Sequence, residues 1–502
     1  MMLTILAGEL TLKQWHDECG VFGIWNSPLA SQLSYLGLYA IQHRGQESAG
    51  IVTLDGNTHL SEKGLGLVAD VFDQATLSSL TGKAAIGHVR YSTTGRNSIA
   101  NAQPLMASLY NGPVAIAHNG NLVNAEPLKR ELKSRGAIFQ GTNDTEVVLH
   151  MLAQNQSSDL VTCLRESLNR LEGAYSFTIL SHQALVAARD PHGFRPLVLG
   201  EIEGGNEGQP TFVLASETCA FDLIGAKFIR EIEPGEIWWV DSKGEHSIRL
   251  DREVKRAHCV FEHVYFARPD SVVFGQSVYA ARQRSGRILA RENPVDVDLI
   301  IPVPDSGVPA ALGYASESGK PFELGIIRNH YIGRTFIQPN QAIRDVGVKI
   351  KLNPQTAILK GKRVVVVDDS LVRGTTSKKI VGLIRAAGAT EVHLRIAAPP
   401  TIGPCYYGVD TPEKSHLIAS NQSIESIREY VGADSLGYLS LEGLSEAVNP
   451  SSGAGSASEP GRDNSGSGIR GVSNYCAACF DGNYPTELFG LDLDPKGNIR
   501  GI

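Results

Sequence analysis

The stretch Val364-Val365-Val366-Val367-Asp368-Asp369-Ser370-Leu371-Val372-Arg373-Gly374-Thr375-Thr376-Ser377 combines the residue types that suit binding of a phosphorylated sugar. Four consecutive β-branched residues predict a strand buried on both faces of a parallel sheet. The strand ends in two adjacent carboxylates, Asp368 and Asp369. Such a pair can hold ribose hydroxyls or a Mg²⁺ ion. Arg373, Gly374, Thr375, Thr376 and Ser377 make a small, hydroxyl-rich turn that leads into a helix-like run ending at Ala387. Backbone N–H groups and the dipole at such a helix start bind phosphate. An ordinary βα junction with solvated acids is the plainer reading. Four valines, two Asp and a Gly-Thr-Thr turn together favour a site for phosphate, sugar and metal.

A companion segment, Ile301-Pro302-Val303-Pro304-Asp305-Ser306-Gly307, closes one predicted strand and opens a helix. Ser306 can bond Mg²⁺ or a diphosphate oxygen, and Gly307 permits close backbone approach. The alternative is a Pro-rich turn.

A different chemistry is possible at Cys19, at the mouth of the apolar run Cys19-Gly20-Val21-Phe22-Gly23-Ile24. Alone, Cys19 could be a packing cysteine. Three downstream stretches change the weighing: His88-Val89-Arg90-Tyr91-Ser92-Thr93, Ala117-His118-Asn119-Gly120-Asn121 and Gly141-Thr142-Asn143-Asp144-Thr145-Glu146. They offer a guanidinium and hydroxyls, an amide beside a glycine N–H, and a carboxylate at a helix start. Singly, Asp144 could be a helix cap, Asn119-Gly120 a tight turn and Arg90 a surface ion pair. As an ordered set after Cys19-Gly20 they favour a nucleophile with its substrate-binding groups.

The elements that must position these residues change character along the chain. Strands are predicted at 21–25, 49–53, 84–88, 113–117, 175–180, 184–189, 196–199, 212–215 and 236–240, with helices at 31–42, 124–134, 144–154 and 159–171. Residues 204–208 read as a hairpin tip. Many strands with grouped helices imply stacked sheets flanked by helices, a layered α+β unit. From about 259, strands at 298–303, 322–326, 363–367 and 391–396 alternate with helices at 277–292, 307–317 and 375–387, the rhythm of a doubly wound parallel sheet. Residues 450–471 are rich in Ser and Gly and read as a flexible excursion.

The chain has 502 residues, which implies two domains; it is 42% hydrophobic and 20% charged. A net charge of −7 argues against a general nucleic-acid binder. No apolar stretch spans a bilayer, and the first 18 residues lack the features of a secretory or transit peptide, so a cytoplasmic location is expected. Seven cysteines there do not suggest a disulfide framework. Cys163 and Cys219 sit in apolar periodic stretches and read as core. Cys476-Ala477-Ala478-Cys479 is a C-x-x-C pair, a pattern shared by zinc and redox sites.

The 364–377 stretch closely resembles the phosphoribosyl pyrophosphate (PRPP) signature of type I phosphoribosyltransferases. Cys19 and its three partner stretches resemble the class II, N-terminal-nucleophile glutamine amidotransferases over about residues 19–250. Together with Cys259, Cys405, Cys476 and Cys479, the chain resembles the iron–sulfur branch of the Bacillus-type glutamine PRPP amidotransferases. That resemblance implies a propeptide at 1–18, an αββα glutaminase domain at 19–255, a phosphoribosyltransferase domain at 256–449 and a tail at 472–502 that carries cluster cysteines.

The roles follow from the same resemblance. The leader is removed, and the α-amino group of Cys19 serves as base for its own thiol. Asn119 and Gly120 form the oxyanion hole; Arg90, Thr93 and Asp144 hold glutamine, with Arg44 in a supporting role. Asp305, Ser306, Gly307, Asp368, Asp369, Arg373, Gly374, Thr375, Thr376 and Ser377 bind PRPP and Mg²⁺. Arg328, Tyr331 and Arg334 belong to a flexible loop that closes over PRPP and helps seal a path for ammonia. The four cysteines ligate one [4Fe–4S] cluster, with a structural Cys₄ zinc site as the physical alternative. Homotetramers and feedback inhibition by purine nucleotides are also implied.

Overall fold

A computed structural model of the protein describes residues 19–91, 98–110, 112–155, 157, 159–204, 209–329, 352–411, 413–450 and 472–488. The leader, Thr93, Tyr331, Arg334, most of the basic loop around them and the Ser/Gly-rich segment after Pro450 lie outside the described residues.

Among the described residues the N-terminal half contains thirteen strands: β1 Gly20–Trp25, β2 Ser48–Asp55, β3 Thr58–Leu65, β4 Ala84–Arg90, β5 Leu105–Leu109, β6 Gly112–Leu122, β7 Gly173–Ser181, β8 Leu185–Arg189, β9 Val198–Ile202, β10 Thr211–Ala215, β11 Lys227–Glu231, β12 Glu236–Asp241 and β13 Gly244–Arg249. They form two sheets, ordered β11-β9-β10-β1-β4-β2-β3 and β13-β12-β8-β7-β6-β5. Between them Val21, Val52, Ile86, Ala115, Leu180, Leu185, Leu214 and Trp238 build a common core. Helix α1, Ala30–Ala40, packs on the outer face of the first sheet. Helices α2 Ala125–Ser134, α3 Glu146–Gln154 and α4 Leu160–Leu168 cover the second. The result is an αββα sandwich: each inner strand has both faces covered, so β1, β4 and β7 are buried nearly throughout.

All nine predicted strands and four predicted helices of this half are present. Missing from the sequence reading were β3, β5, β11 and β13. β13 alternates half-buried and exposed residues and β11 is largely exposed, as befits sheet edges. Gly204, at the start of the expected hairpin tip, has φ +75°; β9 and β10 pair on either side of that tip.

The second half contains helix α5 Val278–Glu292, strand β14 Leu299–Pro302, helix α6 Val308–Ser318, strand β15 Arg363–Asp368, helix α7 Thr375–Ala386, strand β16 Glu391–Ile396, helix α8 Ile424–Val431, strand β17 Ser435–Tyr438 and helix α9 Leu441–Val448. The sheet is parallel, ordered β14-β15-β16-β17, with helices on both faces. The predicted strand at 322–326 is corrected. Phe322 makes a single parallel bridge to Ile300, and a strand pairs instead over Ile326–Arg328 with Leu352–Pro354. The segment is held at the edge of β14 by two backbone bonds, Ile300 N–H to the Pro321 carbonyl at 2.8 Å and Glu323 N–H to the Ile300 carbonyl at 3.0 Å. After β14 the chain therefore passes to one side, at Phe322, and returns on the other as β15. That reversal makes the carboxyl ends of β14 and β15 the natural ligand crevice of the sheet. Among the described residues no helix is long and apolar enough to cross a membrane.

Candidate active sites and cysteine pocket

Cys19 immediately precedes β1, whose Gly20 is opposite Val89 of β4. The thiol points at the Tyr91 carbonyl, 3.5 Å away, and the residue is 8% exposed. Arg90 ends β4 and is buried, so it is not the surface ion pair its sequence context allowed. Asn119 and Gly120 lie within β6, paired with Ser176 and Tyr175, and so do not form a tight turn. The Asn119 amide nitrogen is a long 3.5 Å from the Ser216 hydroxyl, which also accepts from Val21 N–H at 3.0 Å. Its Oδ1 is buried with no hydrogen-bond partner among the described residues. Ser216 thus ties the start of β1 to Asn119, and Asn119 remains poorly satisfied. Such a group can receive a ligand.

Asp144 is not a helix cap either. Its Oδ2 accepts the Leu122 N–H at 2.9 Å, and Oδ1 is 3.6 Å from His118 Nδ1. Burial pushes this carboxyl up, but His118 and the Leu122 N–H outweigh it and hold it below the usual range. An ionised carboxylate there can meet an ammonium group.

Sequence reasoning did not foresee the buried charge network around Arg44. Its Nε donates to the Cys19 carbonyl at 3.2 Å. Its Nη1 donates to Glu217 at 2.5 Å and to Glu262 at 2.9 Å, and Nη2 reaches Glu262 at 2.7 Å. Arg195 adds a 3.2 Å contact to Glu262. Arg44, Arg195, Glu217 and Glu262 are all at most 1% exposed. Glu262 was visible beside Cys259, but no local pattern pairs it with an arginine 218 residues away.

In the second half, β14 and β15 align Pro302 with Val367. Val303 N–H donates to the Val367 carbonyl at 2.8 Å, and a β-carbon on Gly307 would stand 2.5 Å from that same oxygen. The two predicted PRPP segments therefore emerge side by side. Asp368 and Asp369 are buried, and both carboxyls are raised, mainly by burial. The neighbouring Asp369 charge raises Asp368 further. Asp369 N–H donates to Asp368 Oδ1 at 3.0 Å, and the Ser370 hydroxyl donates to Asp369. Two adjacent buried carboxyls that stay raised despite the Ser306 and Ser370 hydroxyls on Asp369 suit a cation or sugar hydroxyls. Gly374 caps α7 at φ +73°, a conformation that favours glycine, and leaves Thr375 and Thr376 exposed at the helix start. Arg328 pairs with Asp305 at 2.5 Å across the mouth.

The four tail and junction cysteines converge. Cys259, Cys405, Cys476 and Cys479 line one pocket with Phe194, Phe261, Tyr407, Val409 and Tyr484. Cys259 and Cys476 are opposite one another in a short parallel pairing. The Ile402 and Gly403 N–H groups both donate to the Cys479 carbonyl. The Tyr407 N–H donates to Cys405 Sγ at 3.3 Å. Burial, with Cys405 nearby, pushes the Cys476 thiol up to about 12, and Cys479 is raised by burial and by the other three sulfurs. Among the described residues no three His, Cys, Asp or Glu side chains are placed to hold a single metal ion. Cys163 and Cys219 are core residues, as expected.

Comparison with known proteins matches residues 88–222 to a glutamine amidotransferase domain and residues 280–414 to a phosphoribosyl transferase domain. Amidophosphoribosyltransferase of Bacillus subtilis is 47% identical over 481 residues, covering 95% of this chain and 96% of the relative. The chain belongs to the amidophosphoribosyltransferase family. It is a glutamine-dependent phosphoribosyltransferase that acts at the first step of purine biosynthesis. The chloroplastic amidophosphoribosyltransferase of Glycine max is 51% identical, over 97% of this chain and 83% of that one. The solved B. subtilis glutamine PRPP amidotransferase, complexed with ADP and GMP, superposes with a TM-score of 0.85 at 46% identity, over 94% of this chain and 98% of that one. The two-domain amidophosphoribosyltransferase architecture is thus shared nearly end to end.

Proposed function

We propose that Cys19 is the nucleophile of glutamine hydrolysis and that the ammonia released is transferred to C1 of PRPP, giving 5-phosphoribosylamine, glutamate and pyrophosphate. The observation that carries this reading is that Cys19 and Arg90 lie at the ends of the paired strands β1 and β4, Ser216 links Val21 to Asn119, and Asp144 binds β6 at Leu122, three residues after Asn119. The propeptide 1–18 is removed, which frees the Cys19 α-amino group to take the thiol proton. The thiolate attacks the side-chain amide carbon of glutamine. Asn119 Nδ2 and the Gly120 N–H donate to the oxyanion, the ammonium returns its proton as ammonia leaves, and water hydrolyses the thioester. Arg90 binds the substrate carboxylate and Asp144 its ammonium, and Thr93 contributes to holding glutamine.

In the transferase unit, taken as residues 256–449, Asp368 and Asp369 hold the ribose hydroxyls. The α7 start at Arg373, Gly374, Thr375, Thr376 and Ser377 receives the 5-phosphate. Asp305, Ser306 and Gly307 form the pyrophosphate side. Asp368, Asp369 and Ser306 would hold Mg²⁺, which would supply positive charge beside the departing pyrophosphate. Arg328 is corrected from the loop to the paired strand that leads into it; Tyr331 and Arg334 belong to the loop proposed to shield PRPP from water.

Cys259, Cys405, Cys476 and Cys479 suit a [4Fe–4S] cluster, which would staple the 472–502 tail to the domain junction. The support is four sulfurs around one apolar pocket, with an N–H donor on one of them. A single zinc needs four sulfurs within about 2.3 Å of one point. Purine nucleotides as feedback inhibitors, a homotetramer and a cytoplasmic location complete the reading. The ADP and GMP bound to the B. subtilis relative support the inhibitors.

The test is Cys19→Ala. Glutamine-dependent synthesis should vanish while synthesis from added ammonia persists; unchanged glutamine hydrolysis would exclude Cys19 as nucleophile.

A further inference from the structure

Gly408, in the loop after β16, approaches the proposed oxyanion hole more closely than any other residue type could. A β-carbon on it would stand 2.9 Å from the Gly120 carbonyl carbon and 3.0 Å from the Gly120 Cα, and its φ is +105°. The contact is backbone against backbone, across the two halves of the chain. The glutaminase half also grips the loop on both sides. Asn121 Nδ2 donates to the Tyr406 carbonyl at 2.9 Å, and Arg195 Nε donates to the Tyr407 carbonyl at 3.0 Å. The Phe194 and Tyr407 rings stack with centres 4.2 Å apart.

The sheet explains why such support matters. β5 pairs with β6 only from Gly112 to Ile116, whereas β7 pairs with it from Val114 to Leu122. The end of β6 that carries Asn119 and Gly120 thus has a strand on one edge only. Oxyanion donors work when they are already aimed at the developing charge, so a small shift of this peptide weakens them.

We infer that the Tyr406–Gly408 loop is a positioning element for glutamine hydrolysis, fixing the Gly120 peptide from the transferase half. Asn121 and Gly408 are its positioning residues. The inference rests on the reading of Gly120 as an oxyanion donor. It makes the first half-reaction depend on the seating of a loop that begins at Cys405, inside the cysteine pocket.

The experiment compares Gly408→Ala, Asn121→Ala and Asn119→Ala in the full-length, anaerobically purified protein. In Gly408→Ala and Asn121→Ala, kcat for glutamine hydrolysis should fall by about tenfold or more, less than the loss of a whole donor. KM for glutamine should stay within about twofold, as expected when only transition-state binding is lost. Synthesis from added ammonia and alkylation of Cys19 by iodoacetamide should proceed at the parental rates, because neither uses the oxyanion hole. A general structural defect would lower all of these together, and that result overturns the inference. So does unchanged glutamine hydrolysis in Gly408→Ala or Asn121→Ala when Asn119→Ala is impaired. If Asn119→Ala is itself fully active, the oxyanion assignment beneath the inference fails. Should Gly408→Ala not accumulate in soluble form, Asn121→Ala decides by the same readouts.

Discussion

Replacing Arg44 by methionine removes the one cation that joins Cys19, Glu217 and Glu262. The side chain is 1% exposed and both carboxylates are fully buried. Truncating one partner of a buried ion network typically costs about 3–5 kcal/mol, because the charges left behind have lost both water and partner. Here the residual contacts moderate the loss. Glu262 keeps Arg195 at 3.2 Å, and Glu217 keeps His43 at 2.8 Å, the Ser271 hydroxyl at 2.7 Å and the Arg268 N–H at 2.9 Å. The lower end of that range, about 3 kcal/mol, is therefore expected.

The pH dependence has a definite sign. Burial would raise the Glu217 carboxyl, but His43 and Arg44 hold it far below the ordinary 4.5. A depressed carboxyl contributes stability above its unfolded value and loses it as pH falls below. Without Arg44 the Glu217 carboxyl rises, so protonation relieves the variant earlier than the parent. The gap between Arg44→Met and the parent should shrink as pH falls below about 4.5, where Glu217 of the variant takes up its proton before Glu217 of the parent. Trp25, Trp238 and Trp239 all lie in the glutaminase half, so urea unfolding followed by tryptophan fluorescence reports on it. A gap below about 1 kcal/mol at neutral pH, or one that does not change with pH, would refute the reasoning.

Asp144→Asn should raise KM for glutamine about tenfold or more, with synthesis from ammonia intact, because a charge-assisted contact is lost. An effect confined to kcat would contradict the assignment. Gly374→Ala places a β-carbon 3.2 Å from Ile418 Cδ1 in a left-handed conformation. It should cost about 1 kcal/mol of stability and raise KM for PRPP but not for glutamine, as steady-state kinetics and thermal unfolding would show. In anaerobic preparations Cys479→Ser should lose bound iron and the visible absorption of the cluster, while Cys219→Ser, a core change, should keep both.

Much of this was legible because the chemistry sits on strongly patterned segments. The valine run fixes β15 in the middle of a covered sheet, and everything at its carboxyl end follows. Edge strands such as β13 escape because their faces alternate only weakly between solvent and core. Helices α8 and α9 escaped for a lesser reason. Ser423 and Ser440 each accept an N–H three residues on, at Ser426 and Gly443, so an N-cap signal was present and readable. The Arg44 network and the Gly408–Gly120 contact had no such signal. Both join residues hundreds of positions apart, and only the docking of the two halves brings them together.

Two sites that act as one enzyme reveal themselves when glutamate and pyrophosphate are followed together in anaerobically purified protein, with and without PRPP and Mg²⁺. Glutamate release should be stimulated by PRPP and matched by pyrophosphate. Release indifferent to PRPP, with no pyrophosphate formed, would contradict that coupling.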